Sequence, residues 1–168
     1  RNAAELGLIP ANTSDWDPAT FDPSQFEHMV SPQSHNGFIG MRYRNHGANW
    51  VEMAVPWRED LVGDAETGVL ATGPIISLLD ISTSMSIWVA GGRYRPQVTL
   101  DLRVDYLRAA TPRKDLIAWA ECYQIKRSMA FVRGIAHDGD INDPVANVAG
   151  IFIQVEAEAT PRFPEIPK

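Results

Sequence analysis

With 168 residues, 45% of them hydrophobic, the chain is long enough for one domain with a sizeable core and too short for two ordinary ones. Its formal net charge of −6 argues against a nucleic-acid or anionic-membrane partner, because both need a basic face. A single cysteine, Cys122, excludes an internal disulfide and points to a reducing, cytoplasmic setting, and no run reaches the ~18 apolar residues of a membrane span or the order of a secretion signal.

Residues 1–35 are expected to be an extension packed on the body, because Pro10, Pro18, Pro23 and Pro32 interrupt any long regular element. Asp22-Pro23-Ser24-Gln25-Phe26 reads as a helix start, with Phe26, Met29 and Val30 available to dock. From Phe38 to Pro56 apolar residues alternate, first Ile39, Met41 and Tyr43, then Val51, Met53 and Val55. Asn45-His46-Gly47-Ala48-Asn49 between them has hairpin chemistry, which makes His46 a turn residue. Residues 57–71, with four acids and two glycines, read as a loop leading onto a helix, a usual place for a binding site.

The stretch Thr72–Ala90, TGPIISLLDISTSMSIWVA, predicts a long helix that begins with Pro74 at its first position and is stopped by Gly91 and Gly92. At about 100° per residue, Ile75, Leu78, Leu79, Met85 and Val89 share one face, and Gly73, Ser77, Asp80 and Ser84 share the other. Ile76, Ile81, Ile87 and Trp88 crowd the second face, so the helix is expected to be buried nearly all round with Asp80 as its only ionisable group. A carboxylate so placed has to be paired, hydrogen-bonded or used: it is either a satisfied core acid or a functional base.

Four strand-like segments follow. Val98, Leu100, Leu102, Val104 and Tyr106 alternate with Thr99, Asp101, Arg103 and Asp105, giving one core face and one wet face. Leu116–Ile125 joins Met129–His137 through Lys126-Arg127-Ser128, and Asp138-Gly139-Asp140 turns toward Val145–Val155. Residues 156–168, with three prolines in TPRFPEIPK, are expected to be an extended tail. The order predicts an α+β fold over residues 36–155, a curled antiparallel sheet around one helix, with a second copy covering the open strand edge. No metal site is expected: His28, His35, His46 and His137 form no i, i+4 pair and no Cys-x-x-Cys exists. Arg93 and Arg95 read as a solvated rim. Arg108, Lys126 and Arg127, at the ends of neighbouring strands, are either a solvated edge or contacts for the phosphates of a ligand.

Gly73-Pro74-Ile75-Ile76-Ser77-Leu78-Leu79-Asp80, followed by Thr99-Leu100-Asp101-Leu102-Arg103-Val104-Asp105-Tyr106-Leu107-Arg108, resembles the hotdog-fold thioesterase superfamily, in particular its phenylacetate-pathway and acyl-CoA thioesterase branch. Lys126-Arg127-Ser128 is similar to that family's Gly-Arg-Ser turn. The resemblance covers roughly residues 37–155 and implies a homodimer or dimer of dimers that hydrolyses acyl-CoA thioesters without a metal or organic cofactor, coenzyme A being part of the substrate. It makes Asp80 the general base or nucleophile, the Thr72 or Gly73 amide the oxyanion donor, and Thr99 a hydroxyl supplied by the partner subunit's strand. Ser77 and Ser128 fall among the substrate-binding positions, and Asp64 is the nearest match to the family's loop Asn. Where the family has His-Gly-Gly, this chain has Ala71-Thr72-Gly73, which keeps a non-catalytic acyl-CoA or acyl-ligand binder open as an alternative. A hydratase or dehydratase is a third reading, and would need a histidine such as His35 or His46 brought to Asp80 in space.

Overall fold

The computed structural model of the chain describes residues 21–155. Expectations for residues 1–20 and for the tail at 156–168 lie outside it. A 3-10 turn at Pro23–Gln25 runs into α1 (Phe26–Met29), and Asp22 caps it by accepting from the Ser24 amide at 2.9 Å. Phe26 is buried and Val30 packs on the core, so this segment is docked.

A further turn of helix, α2 (His35–Phe38), is capped by Ser34, whose hydroxyl accepts from the Gly37 amide at 3.2 Å. The first hairpin, β1 (Arg42–His46) with β2 (Trp50–Val55), therefore starts later than the alternation predicts, because α2 takes Phe38. His46 belongs to the strand rather than the turn, its Nδ1 lying 2.7 Å from the Tyr43 hydroxyl beside a register shift between Tyr43 and Asn45. Residues 57–71 are not a plain loop either. A 3-10 turn at Glu59–Leu61 leads into a small separate hairpin, β3 (Val62–Asp64) with β4 (Val69–Leu70), anchored by buried Leu61 and Leu70. Strands of two or three residues are too short for periodicity to announce.

The central helix, α3 (Thr72–Gly91), ends on Gly92 at φ 64°, whose amide bonds back to the Val89 carbonyl at 3.1 Å. Pro74 occupies the third helical position instead of the first, still inside the turn whose amides lack partners. By length and composition α3 does meet the requirement of a membrane span, contrary to expectation, but here it is the helix the sheet wraps. Four long strands, β5 (Gln97–Tyr106), β6 (Leu116–Lys126), β7 (Met129–His137) and β8 (Ala146–Gln154), join β1 and β2 in one antiparallel six-stranded sheet of order β1-β2-β6-β7-β8-β5.

The helix packs on β6, β2 and β7 through fully buried Leu78, Leu79 and Met85, against a floor of Ala118, Ala120 and Ala136. Small floor residues let the helix come close to the sheet. Gly134 in that floor has no room for a side chain, since a Cβ would sit 2.5 Å from the Trp119 carbonyl oxygen. Ser82, Thr83 and Ser86 are also buried, and their hydroxyls donate to the helix's own carbonyls at Leu78, Leu79 and Thr83 at 2.6–2.8 Å.

Two expectations fail here, one at α3, which the edge strand β5 covers incompletely, and one in β5 itself. The helix is not buried all round: Thr72, Gly73 and Ile76 are exposed, and Ser77, Asp80, Ile81 and Ser84 are half-buried. In β5, Thr99 pairs with Phe152 while Asp101 pairs with the next residue, Ile151, so Leu100 is an extra residue that forms a bulge. The bulge reverses the alternation. Gln97 and Thr99 reach the helix upstream of it, Leu102 and Val104 pack on the core downstream, and Val98 and Leu100 are left 53% and 59% exposed.

Candidate active site

The open stripe of α3 carries three polar side chains, each joined to another part of the chain. Thr99 Oγ1 donates to Asp80 Oδ1 at 3.0 Å. One turn further along, Gln97 Nε2 donates to the Ser84 carbonyl at 2.8 Å and hydroxyl at 2.6 Å. One turn earlier, Ser77 Oγ lies 2.8 Å from His35 Nε2. Residues 77, 80 and 84 are neighbours by the i, i+3 and i+4 rule, so the three contacts form one ladder along the helix.

Thr99, which the resemblance implied would come from a partner subunit's strand, meets Asp80 within one chain. The helix start, by contrast, is remote from Asp80. Seven residues separate Gly73 from Asp80, about 10 Å of helix rise. An amide nitrogen, the carbonyl it holds, an attacking water and a base span about 10 Å only when they lie in line. The Thr72 and Gly73 amides of the same helix therefore reach a carbonyl that Asp80 attacks through water only with the whole relay extended. Both residues are exposed, and neither amide has an intrahelical acceptor, while the Ala71 amide is already bonded to the Leu61 carbonyl at 2.9 Å. A Cβ on Gly73 would meet nothing within 4 Å, so this chain's own packing does not require a glycine there.

The basic candidates separate cleanly. Arg108, expected to face phosphate, instead spends its guanidinium on Asp138 through two hydrogen bonds of 2.7 and 2.8 Å, with Asp143 as a further partner at 3.0 Å. Asp138 also accepts from the Thr111 amide, and the guanidinium beside it holds its carboxyl well below the usual carboxylate range. Arg108 thereby fastens the β5 exit to the β7–β8 turn. Arg127 and Ser128, however, line a cleft of about 520 Å³ together with Tyr94, Arg95, Pro96, Gln154 and Val155. Lys126 does not line it. Arg95, read from the sequence as rim, is a site candidate that only the fold reveals, since its partner Arg127 lies more than thirty residues downstream. Asp64 is engaged locally, its oxygens accepting from the Glu66 amide at 3.1 Å and the Thr67 hydroxyl at 2.9 Å, and it builds the β3–β4 turn.

Among the described residues no group of three or more His, Cys, Asp or Glu is placed to hold a metal ion. Cys122 is buried, and burial pushes its thiol pKa up, as suits a small core residue rather than a nucleophile. His137 is buried at the end of β7 and accepts from the Gly139 amide at 3.3 Å, with burial pushing its imidazole pKa down. Of the two histidines singled out in the sequence, His35 reaches the stripe, 42 residues from its partner, though at Ser77 rather than at Asp80.

Residues 67–145 match the family model described as Thioesterase superfamily. No curated protein sequence matches the chain. Among solved structures, a protein from Pseudomonas aeruginosa is 30% identical over 72% of this chain and 90% of its own, with a TM-score of 0.67. A thioesterase from Haemophilus influenzae is 17% identical over 82% and 93%, with a TM-score of 0.71. A mutant of the phenylacetic acid degradation protein PaaI from Thermus thermophilus is 21% identical over 71% and 97%, with a TM-score of 0.61. Taken with a long helix wrapped by an antiparallel sheet of this strand order, these matches show that the chain belongs to the thioesterase superfamily and has its hotdog fold.

Proposed function

We propose that the chain hydrolyses an acyl-CoA thioester to a free acid and coenzyme A, with Asp80 as general base. The observation that carries this reading is the Thr99–Asp80 contact on the open stripe. Thr99 fixes Oδ1, which leaves Oδ2 to hold a water against the thioester carbonyl. Asp80 takes a proton as the water oxygen bonds to the carbonyl carbon, the tetrahedral intermediate then breaks its C–S bond, and the departing thiolate recovers the proton. This favours the base role over the nucleophile role.

The remaining parts follow from distance. Because about 10 Å of helix rise would hold the relay to its full extension within one chain, the Thr72 and Gly73 amides of a second copy are the better oxyanion donors. Strand β5 ends the sheet, and its exposed Val98 and Leu100 supply apolar surface at that edge for a homodimer, which a dimer of dimers can extend. The Arg95–Arg127 cleft is suited to the phosphates of coenzyme A. Pro96 in its wall precedes Thr99 by three residues, about 10 Å of extended chain, so a pantetheine arm laid along the start of β5 connects cleft and carboxylate.

The test is a panel of short, branched, aromatic and long acyl-CoA thioesters with release of free thiol as the readout. Turnover of any of them, abolished in Asp80→Asn, supports the reading. Ala71 and Thr72, where the family carries His and Gly, favour a second reading, a non-catalytic acyl-CoA binder. Tight binding of coenzyme A with no thiol release from any thioester selects that one.

A further inference from the structure

The ladder on α3 has one rung that the reaction as written does not use, His35 with Ser77. Helix α2 is fixed in place at several points. Ser34 caps it, Arg58 Nη1 donates to the Phe38 carbonyl at 2.8 Å at its end, and Ile39 and Met41 behind it are buried in the core. The imidazole is therefore held over α3 by a braced segment, and its Nε2 meets the Ser77 hydroxyl at 2.8 Å. Ser77 is one turn before Asp80, which puts their Cβ atoms about 5–6 Å apart on the same face. That separation suits a serine holding the carbonyl oxygen while the carboxylate holds the water that attacks its carbon.

We propose that Ser77 is an oxyanion donor of this site and that His35 is its positioning residue, an inference that rests on the thioesterase reading above. His35 Nε2–H donates to a lone pair of Ser77 Oγ, so the hydroxyl proton is free to point at the substrate. The Ser77 O–H then donates to the carbonyl oxygen as negative charge builds on it, beside one backbone amide from the second copy. No bond to Ser77 or His35 is made or broken. Such a donor answers the departure at the helix start, where Ala71 and Thr72 stand in place of an imidazole and a bare glycine. The imidazole enters from the N-terminal segment instead.

The experiment measures kcat, KM and melting temperature with the most active acyl-CoA of the panel for Ser77→Ala, His35→Leu, His35→Gln and the double variant Ser77→Ala/His35→Leu, with coenzyme A affinity measured in parallel. Losing one oxyanion donor lowers kcat about 10²-fold or more, so Ser77→Ala is expected to fall by that factor with coenzyme A affinity unchanged. His35→Leu should lose at least tenfold, His35→Gln, which retains an N–H donor, should recover most of it, and the double variant should be no slower than Ser77→Ala alone. Full turnover by Ser77→Ala, equal losses in His35→Leu and His35→Gln, or losses that multiply in the double variant would each overturn the proposal. Should Ser77→Ala unfold, Ser77→Cys replaces it, and retention of full kcat there overturns the donor role. A wild-type chain that cleaves no thioester overturns the thioesterase reading itself and this inference with it, whereas an active wild type with unaffected variants overturns this inference alone.

Discussion

Arg108 and Asp138, 30 residues apart in the chain, meet through two parallel hydrogen bonds of 2.7 and 2.8 Å, and the Asp138 side chain is 5% exposed. The pair ties the end of β5 to the turn before β8. Because the folded state holds the Asp138 carboxyl below its unfolded value of about 3.9, folding is favoured where that group is ionised. Its contribution is full above about pH 4 and is lost as pH falls below that toward the depressed folded value. Denaturant midpoints measured from pH 7 down to pH 3 should fall, and less steeply in Asp138→Asn. At pH 7 Asp138→Ala, which strands the guanidinium and the Thr111 amide, should lower the melting temperature by roughly 5–10 °C.

Asp80→Asn preserves shape and removes the charge. General-base loss costs about 10²- to 10⁴-fold in kcat, and since Asp80 is only half-buried the melting temperature should stay nearly unchanged. Thr99→Val removes the hydroxyl that orients the carboxylate and should cost about tenfold, the worth of a hydrogen bond to a charged group. Steady-state kinetics beside thermal melts of the same samples checks both. An Asp80→Asn variant that turns over normally would return Asp80 to the role of structural acid.

Arg127 holds φ at 58°, in the left-handed region, at the first residue of a two-residue hairpin link, where glycine is at ease. Arg127→Gly should therefore raise the unfolding free energy by about 1 kcal/mol. The same change removes a cation from the cleft, so KM for a CoA ester should rise at least tenfold while KM for an N-acetylcysteamine ester, which lacks the nucleotide, stays put. Urea melts and the two KM values decide this; equal effects on both esters would remove Arg127 from phosphate binding.

Leu100→Lys places a charge at the exposed apolar edge of β5. Light scattering at micromolar concentration should show a dimer for the parent chain and a shift toward monomer for the variant. Turnover should fall with the dimer fraction if the proposed amide donors come from the second copy. A variant that is monomeric and fully active would refute the composite site.

The helix and the four long strands after it were legible because each is long enough for its period to show, and Asp80 stood out as the one ionisable side chain in twenty residues. What stayed hidden depended on contacts between distant residues. Alternation in β5 put Val98 and Leu100 on the core side, and one unpaired residue, visible only against β8, reverses that assignment. Arg108 looked like a free cation at a strand end because Asp138 is its partner only in space. His35 reached the stripe, and Arg95 the cleft, through folding alone.

The extra residue at Leu100 also lets residues of opposite parity share one face of β5. Deleting it would make the β5–β8 ladder regular, with Thr99 opposite Phe152, Asp101 opposite Ile151 and Leu102 opposite Gly150, and would leave Gln97 and Thr99 on the helix side with Leu102 and Val104. One strand thus serves both a polar stripe and an aliphatic core, Gln97 and Thr99 bonding to Ser84 and Asp80 while Leu102 and Val104 pack inward, with a single residue left out of the ladder.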